Sequence, residues 1–343
     1  MVIFMKKSNH PTIREIAQLV GVSANTVSRA LNNKPDVSSE TRKNIIKAAQ
    51  FLNYSPNAIA RALVQRTTRT IGMVMSDISD PFFGEMVKDA EVFFRAHGYN
   101  LILCNTQENS NQEKGSIEAL INKRVDGILL TPVGKNGENI QEIFNNRVPI
   151  VLLGRYFDKP SVPSVTSNDE KGGYLATRHL IELGHQRILF VNVSHHISSA
   201  RDRFRGYQKA LKEFSLEYDQ SLQIQTSFDL EDTYQKTKKF FDQQRKVTAV
   251  VVFCDILAIS VMKAIIDVGF KIPQDISIIG FDNIKIGSLL PSPLTTIDPN
   301  KKKMVEKASE ILLNAIKLDN VERGNISIEP TLVIRSSTQS PIL

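Results

Sequence analysis

The hydrophobic periodicity of this chain changes at about residue 70, and that change limits what it can fold into. Upstream, apolar residues recur at helical spacing in short segments. From Ile71 onward, short apolar runs alternate with amphipathic stretches. The runs at 71–75, 100–105, 127–131, 150–154, 187–193, 222–225, 249–253, 277–281 and 295–298 read as strands. Helical patterns lie between them at 82–96, 171–183, 200–214, 255–268 and 301–316. Near-continuous apolar strands alternating with helices predict parallel sheets covered on both faces. So many strands divide better between two sheets than in one, with crossings between the lobes expected at 160–164 and 290–293.

The upstream segment reads as a helix-turn-helix. Thr12 is placed to cap a first helix, with Glu15 three residues later completing a capping box. Ile16, Ala17, Leu19 and Val20 give that helix an apolar stripe, and Gly21 ends it. Ser23 caps a second helix to about Leu31. Val22, Val27, Ala30 and Leu31 then face inward, and Ala24, Asn25, Ser28 and Arg29 outward. Asn25 and Arg29 are four apart and share a face, as suits adenine and guanine edges in a major groove. A third helix follows Ser38 or Ser39, with Ile45, Ile46, Ala49 and Leu52 as its buried stripe. Ser55-Pro56-Asn57 opens a further segment of about two turns, too short to hold as a helix alone.

The charge agrees with this division. The 343-residue chain carries +7, but residues 1–70 alone hold eleven Lys/Arg and three Asp/Glu, so the remainder is close to neutral. A basic head on a neutral body is the footprint of nucleic-acid binding. The two cysteines, Cys104 and Cys254, lie in separate apolar segments without metal-ligand spacing. The N-terminal MVIFMKK lacks the order of a signal peptide, and no apolar run approaches the roughly 20 residues that span a bilayer. A cytoplasmic location is the expectation.

Ligands in such α/β folds bind beyond the carboxyl ends of strands. Those ends here carry Ser76 to Phe83 (SDISDPFF), Gly154-Arg155, the helix start with Arg201, Arg203 and Arg205, Cys254-Asp255 and Asp282-Asn283. Charged and amide groups beside aromatics suit a polyhydroxylated or charged small ligand. There is no G-x-G-x-x-G, P-loop or G-x-S-x-G, and the adjacent His195 and His196 read as loop residues. An enzyme is not expected, nor a metal or a cofactor beyond a small-molecule effector.

The order of TIREIAQLVGVSANTVSRALN, VSSETRKNIIKAAQFLNYSPNAIARAL, TIGMVMSDISDPFF, HLIELGHQRILFV, RFRGY, DISIIGFDN and PLTTID resembles the LacI/GalR family of bacterial transcription regulators. The resemblance implies an all-α helix-turn-helix headpiece (11–55), a hinge helix and linker (56–69), and a two-lobed, periplasmic-binding-protein-like α/β domain (70–337). Its N-lobe is expected at 70–164 and 295–323, its C-lobe at 165–292 and 324–337. By resemblance, Ala24, Asn25 and Arg29 read bases. Thr12, Ser23, Thr26, Ser28, Asn32, Thr41 and Tyr54 meet or frame the DNA backbone. Asn57, Ala60 and Leu63 form the hinge in the minor groove, with Leu63 as the wedge. Asp80, Phe82, Phe83, Arg155, Arg203, Asp255 and Asp282 are the expected effector residues. Members commonly have Asn-Asp where this chain has Cys254-Asp255, which removes an amide from the site. No leucine heptad closes the chain, so the resemblance implies a homodimer on a near-palindromic operator. The expected function is a DNA-binding regulator, a repressor, controlled by a sugar or sugar derivative in the cleft. The alternative effectors are a purine or nucleoside and a phosphosugar. The rival function is a solute-binding protein without a regulatory role.

Overall fold

The computed structural model describes residues 11–55, 67–133, 137, 139–159, 162–243, 246–318 and 324–341. They fall into two compact units that divide between Thr68 and Arg69. Among these residues no helix is long and apolar enough to cross a membrane.

The first unit holds α1 (Ile13–Val20), α2 (Ala24–Leu31) and α3 (Ser39–Phe51). Thr12 closes the expected capping box: its hydroxyl accepts the Glu15 N–H, and its own N–H donates to the Glu15 carboxylate at 2.6 Å. Gly21 adopts φ 73°, the left-handed conformation that ends α1 and lets the Val22 N–H reach the Ala17 carbonyl at 3.0 Å. Ser23 then accepts the Thr26 N–H at 3.0 Å and starts α2. Ile16, Val27, Ala30, Val37, Ile45, Ala48 and Ala49 form the core. Two expected core residues lie outside it: Leu19 is 55% exposed and Ile46 41%. At 3.6 residues per turn each stands roughly 110° from the centre of its helix's buried face, which Ile13, Ile16, Ala17 and Val20 define in α1 and Ile45, Ala48, Ala49 and Leu52 in α3.

The second unit has two six-stranded sheets. The first contains β1 (Thr70–Met75), β2 (Asn100–Asn105), β3 (Gly127–Leu130), β4 (Ile150–Leu153), β5 (Ser164–Ser167) and β11 (Asn325–Ile328), in the order β11-β5-β4-β3-β1-β2. The second contains β6 (Ile188–Asn192), β7 (Gln223–Gln225), β8 (Ala249–Val252), β9 (Ser277–Phe281), β10 (Thr295–Asp298) and β12 (Thr331–Val333), in the order β12-β10-β9-β8-β6-β7. All pairings are parallel except β12 on β10. Helices α4 (Pro81–Ala96), α5 (Ser110–Asn122), α6 (Ile140–Asn145) and α11 (Lys301–Leu318) belong to the first lobe. Helices α7 (Asp169–Glu182), α8 (Ser198–Glu213), α9 (Leu230–Asp242) and α10 (Asp255–Asp267) belong to the second.

This connectivity corrects the expected lobe limits. The chain first crosses at Asn168, after β5, instead of within 160–164. β5 is Ser-Val-Thr-Ser, which has no apolar run; its pairing with β11 is helped by the Ser164 and Thr166 hydroxyls, which donate to Asn325 Oδ1 at 3.0 and 3.4 Å. The segment 290–293 is a return inside the second lobe, because β10 pairs with β9 there. The second crossing follows Asp298, and the third lies between Ile328 and Thr331.

One helix crossing positions the site. In α7 and α8, Gly173 and Gly206 let the backbones touch: a Cβ on Gly173 would lie 2.1 Å from the Arg203 carbonyl, and one on Gly206 2.0 Å from the Glu170 carbonyl. Asp169 and Arg203 meet beside this contact. Gly206→Ala must push the helices apart. It is expected to lower stability by about 1–3 kcal/mol in urea unfolding, whereas Gly115→Ala, in a helix with open space around it, should be neutral or stabilising.

Candidate functional site

The first unit carries the described candidate DNA residues on and around its three helices. Ala24 and Asn25 are exposed in the first turn of α2, and Arg29 projects from its last turn. Arg29 Nε donates to Asp36 Oδ2 at 2.6 Å, which holds the Asp36 carboxyl below its ordinary range. Thr12 and Ser23 are exposed N-caps; Thr26 is bonded to Ser23, and the Thr41 N–H donates to Ser38. Asn32 caps the end of α2 by donating to the Ser28 carbonyl at 2.8 Å, and Tyr54 packs partly buried against the three-helix core. Helix N-termini with exposed hydroxyls suit phosphate contacts. Asn57, Ala60 and Leu63 lie outside the described residues.

In the second unit, a cleft lies between the lobes, at the carboxyl ends of both sheets. The first lobe contributes Asp80, Phe82 and Phe83 from the start of α4, Thr131 after β3, and Gly154 and Arg155 after β4. The second contributes Ser199 and Arg203 from α8, Phe228 after β7, Phe253 and Cys254 after β8, and Asp282 after β9. Asp80, Phe82, Phe83, Arg155, Arg203 and Asp282 thus come together at one cleft.

Arg203 is the most constrained of them. Its Nε donates to Asp169 at 2.8 Å, one terminal nitrogen donates to the Phe253 carbonyl at 2.6 Å, and the other lies 3.7 Å from Asp282 Oδ1. The guanidinium sits 3.5 Å from the centroid of the Phe281 ring and 4.5 Å from that of Phe253. Asp282 adopts φ 111°, which few residues with a Cβ tolerate, and its buried Oδ1 has no hydrogen-bond partner. Burial pushes its carboxyl well above the ordinary range, although Arg203 opposes the shift. Asp80 accepts the Phe82 N–H at 2.9 Å as the cap of α4; burial outweighs that bond and raises its pKa to about 6.

The lobes meet at the cleft rim. The Tyr156 N–H donates to Ser198 at 3.0 Å, and its hydroxyl donates to Asp202 at 2.8 Å. Arg201 spans the same boundary with two bonds to Asp158, at 3.0 and 3.1 Å. These contacts describe a closed cleft.

Asp255 departs from expectation. Its side chain turns into the second lobe, away from the cleft: it accepts the Thr296 hydroxyl at 2.6 Å and the Ile284 N–H at 2.9 Å, ordering the turns around β9 and β10. Cys254 does line the cleft, and burial keeps its thiol well above the ordinary range, so it offers a neutral, largely apolar wall. Sequence reasoning missed Thr131, Ser199, Phe228 and Phe253 as cleft residues. All four sit at strand ends or at a helix start, and the strand-end rule applied to every strand could have found them.

The comparisons with known proteins follow these two units. Residues 12–57 match the family described as bacterial regulatory proteins, lacI family, and residues 68–336 match periplasmic binding proteins and sugar binding domain of LacI family. The chain belongs to the LacI family. It is 36% identical over 327 residues to the HTH-type transcriptional repressor PurR of Aliivibrio salmonicida, covering 95% of this chain and 98% of that one. A lac repressor dimer bound to operator and the anti-inducer ONPF is 25% identical, with a TM-score of 0.86 over 96% of this chain and 100% of that one. A transcriptional regulator CelR–cellobiose complex is 26% identical, with a TM-score of 0.73 over the same shares. This LacI-family chain is therefore a DNA-binding transcriptional regulator and not an enzyme.

Buried Asp255 gives a measurable signature. Burial raises its pKa to about 7 against its two hydrogen bonds, from 3.8. The folded protein thus binds a proton that the unfolded chain has released, and stability falls as pH rises from 4 towards 7. Asp255→Asn can accept the Ile284 N–H through its amide oxygen and donate from its amide nitrogen to the Thr296 hydroxyl, without the charge. Between pH 5 and 8 the wild type is expected to lose on the order of 2–3 kcal/mol relative to that variant in urea unfolding; parallel pH profiles would mean that the carboxylate is stabilised where it lies.

Proposed function

We propose that this protein is a homodimeric transcriptional repressor that binds a near-palindromic operator, with its cleft occupied by a small-molecule effector. Ala24, Asn25 and Arg29 meet base edges in the major groove. Thr12, Ser23, Thr26, Ser28, Asn32, Thr41 and Tyr54 meet or frame the DNA backbone. Asn57, Ala60 and Leu63 enter the minor groove between half-sites, and a two-fold dimer presents two such surfaces symmetrically. The observation that carries this reading is the joining, in one chain, of a capped recognition helix with exposed Asn25 and Arg29 to a cleft that two lobes close around. The relatives named repressors and the operator-bound lac repressor dimer support it. A cytoplasmic location follows from that role.

The effector is proposed to be a sugar or sugar derivative. Asp282 Oδ1 lacks a donor, Arg203, Thr131 and Ser199 supply polar contacts, and Phe82 and Phe83 offer apolar faces for the C–H side of a sugar ring. The cellobiose complex of a relative is in keeping with this. A second reading, a purine or nucleoside, is favoured by the phenyl rings of Phe82, Phe83, Phe228 and Phe253, which come from both lobes and suit a flat heterocycle.

Operator titration tests the DNA half of the proposal. Arg29→Ala should weaken operator binding about 10- to 100-fold while changing binding to random duplex far less. Equal loss on both would remove Arg29 from base reading. A melting-temperature panel of sugars against purines and nucleosides tests the effector half; stabilisation by a purine alone would replace the sugar reading.

A further inference from the structure

The cleft holds its cations in ion pairs with protein carboxylates. Its two arginines are already engaged by protein carboxylates. Arg155 forms a two-pronged pair with Glu108, at 2.9 and 2.7 Å, and also donates to the Pro132 carbonyl at 3.3 Å. Arg203 is paired with Asp169. The side chains of Arg155 and Arg203 are only 6% and 7% exposed, so neither can swing into water to release its partner. The next cation, Lys301, is paired with Glu85 at 3.3 Å and donates to the carbonyls of Asp282 and Asn283. Asp80 and Asp282 also line the cleft, Asp282 with Arg203 3.7 Å from its Oδ1.

Glu108 reaches Arg155 by an unusual backbone path. It follows β2, outside the cleft lining, and both Gln107 and Glu108 take left-handed conformations, with φ 50° and 56°. Two successive side-chain-bearing residues in that region cost free energy, which surrounding contacts must offset. Glu108 is anchored there: its N–H donates to the Ser76 carbonyl at 3.2 Å. The turn delivers the carboxylate onto the planar fork of Arg155, the geometry in which a guanidinium would otherwise grip a phosphate or carboxylate of a ligand.

We propose that Glu108 sets the charge class of the effector: by occupying the Arg155 fork it removes the cleft's best anion receptor and restricts the site to uncharged or cationic molecules that donate hydrogen bonds to Asp282. This rests on the reading of the cleft as the effector site. It divides the effector class on chemical grounds. A phosphorylated sugar would have to displace a bidentate carboxylate from a buried arginine. An unphosphorylated sugar, an amino sugar or a neutral heterocycle meets no such obstacle, and its hydroxyl or N–H groups satisfy the unpartnered Asp282 oxygen. Glu108 acts through Arg155 and is thus a positioning residue.

The test uses the full-length wild type, Glu108→Gln, Arg155→Gln and the double variant Glu108→Gln/Arg155→Gln. Melting temperature is followed with inorganic phosphate, glucose 6-phosphate and ribose 5-phosphate at constant ionic strength, and with glucose and ribose as uncharged counterparts. Wild type should show no stabilisation specific to the three anions. Glu108→Gln, in which the fork meets a neutral amide, should gain a rise of a few degrees with at least one of them, and the double variant should lose that gain. Anion stabilisation of the wild type that Arg155→Gln abolishes would overturn the proposal, and so would a Glu108→Gln protein that gains nothing. If Glu108→Gln does not fold, Glu108→Asp, too short to hold both prongs, should show a smaller gain, and its absence counts against the proposal. The anion arm reads the availability of Arg155 and needs no natural effector. An Arg155-dependent gain without a response to any uncharged molecule would therefore support the role of Glu108 while counting against the sugar reading of the cleft.

Discussion

The buried guanidinium of Arg203 is the interaction on which the effector unit depends. It ties α7, through Asp169, to the carbonyl that ends β8, and it stacks on Phe281 at the end of β9. A charge buried this deeply is tolerable only when paired and hydrogen-bonded, and removing one partner of such a pair leaves the other uncompensated. The requirement propagates outwards. Asp169 and Arg203 can meet only because Gly173 and Gly206 let α7 and α8 touch backbone to backbone. Asp282, held at an unfavourable φ, keeps one oxygen without a partner beside the guanidinium. The polar centre of the cleft is thus assembled by packing within the second lobe.

The rim contacts connect that centre to lobe position. Tyr156, Asp158, Ser198, Arg201 and Asp202 bridge the lobes outside the ligand space. They stabilise the closed arrangement whatever the cleft contains. A ligand can shift this arrangement only by its differential affinity for the open and closed states. A bound molecule that spans Asp80 on one lobe and Asp282 on the other supplies such a difference, since opening would break one set of contacts.

Much of this was legible in the sequence, because it rests on local signals. Thr12 with Glu15, Gly21 and Ser23 fix the ends of α1 and α2 through short-range bonds, so the reading head follows from spacing alone. The long apolar strands were equally visible. β5, β11 and β12 were not: Ser-Val-Thr-Ser and its partner hold together through hydroxyl–amide bonds and register, which periodicity does not encode. Those short strands carry the crossings, so the lobe limits drawn from sequence were displaced. Arg155 and Arg203 were found from their place at strand ends, but that each is already paired depends on Glu108 and Asp169, 47 and 34 residues away in sequence. Asp255 was misplaced for a similar reason: a carboxylate opening a helix after a strand looks the same whether it turns to the cleft or, as here, to Thr296.

We propose that occupancy of the cleft around Arg203 changes the affinity for operator. It is tested most directly by titrating operator with wild type and with Arg203→Gln, each with and without the small molecule that shifts the wild-type melting temperature. The account predicts that the wild-type affinity changes several-fold on adding that molecule and that the ratio collapses to about one in the variant. A variant whose operator affinity responds as the wild type does would contradict it.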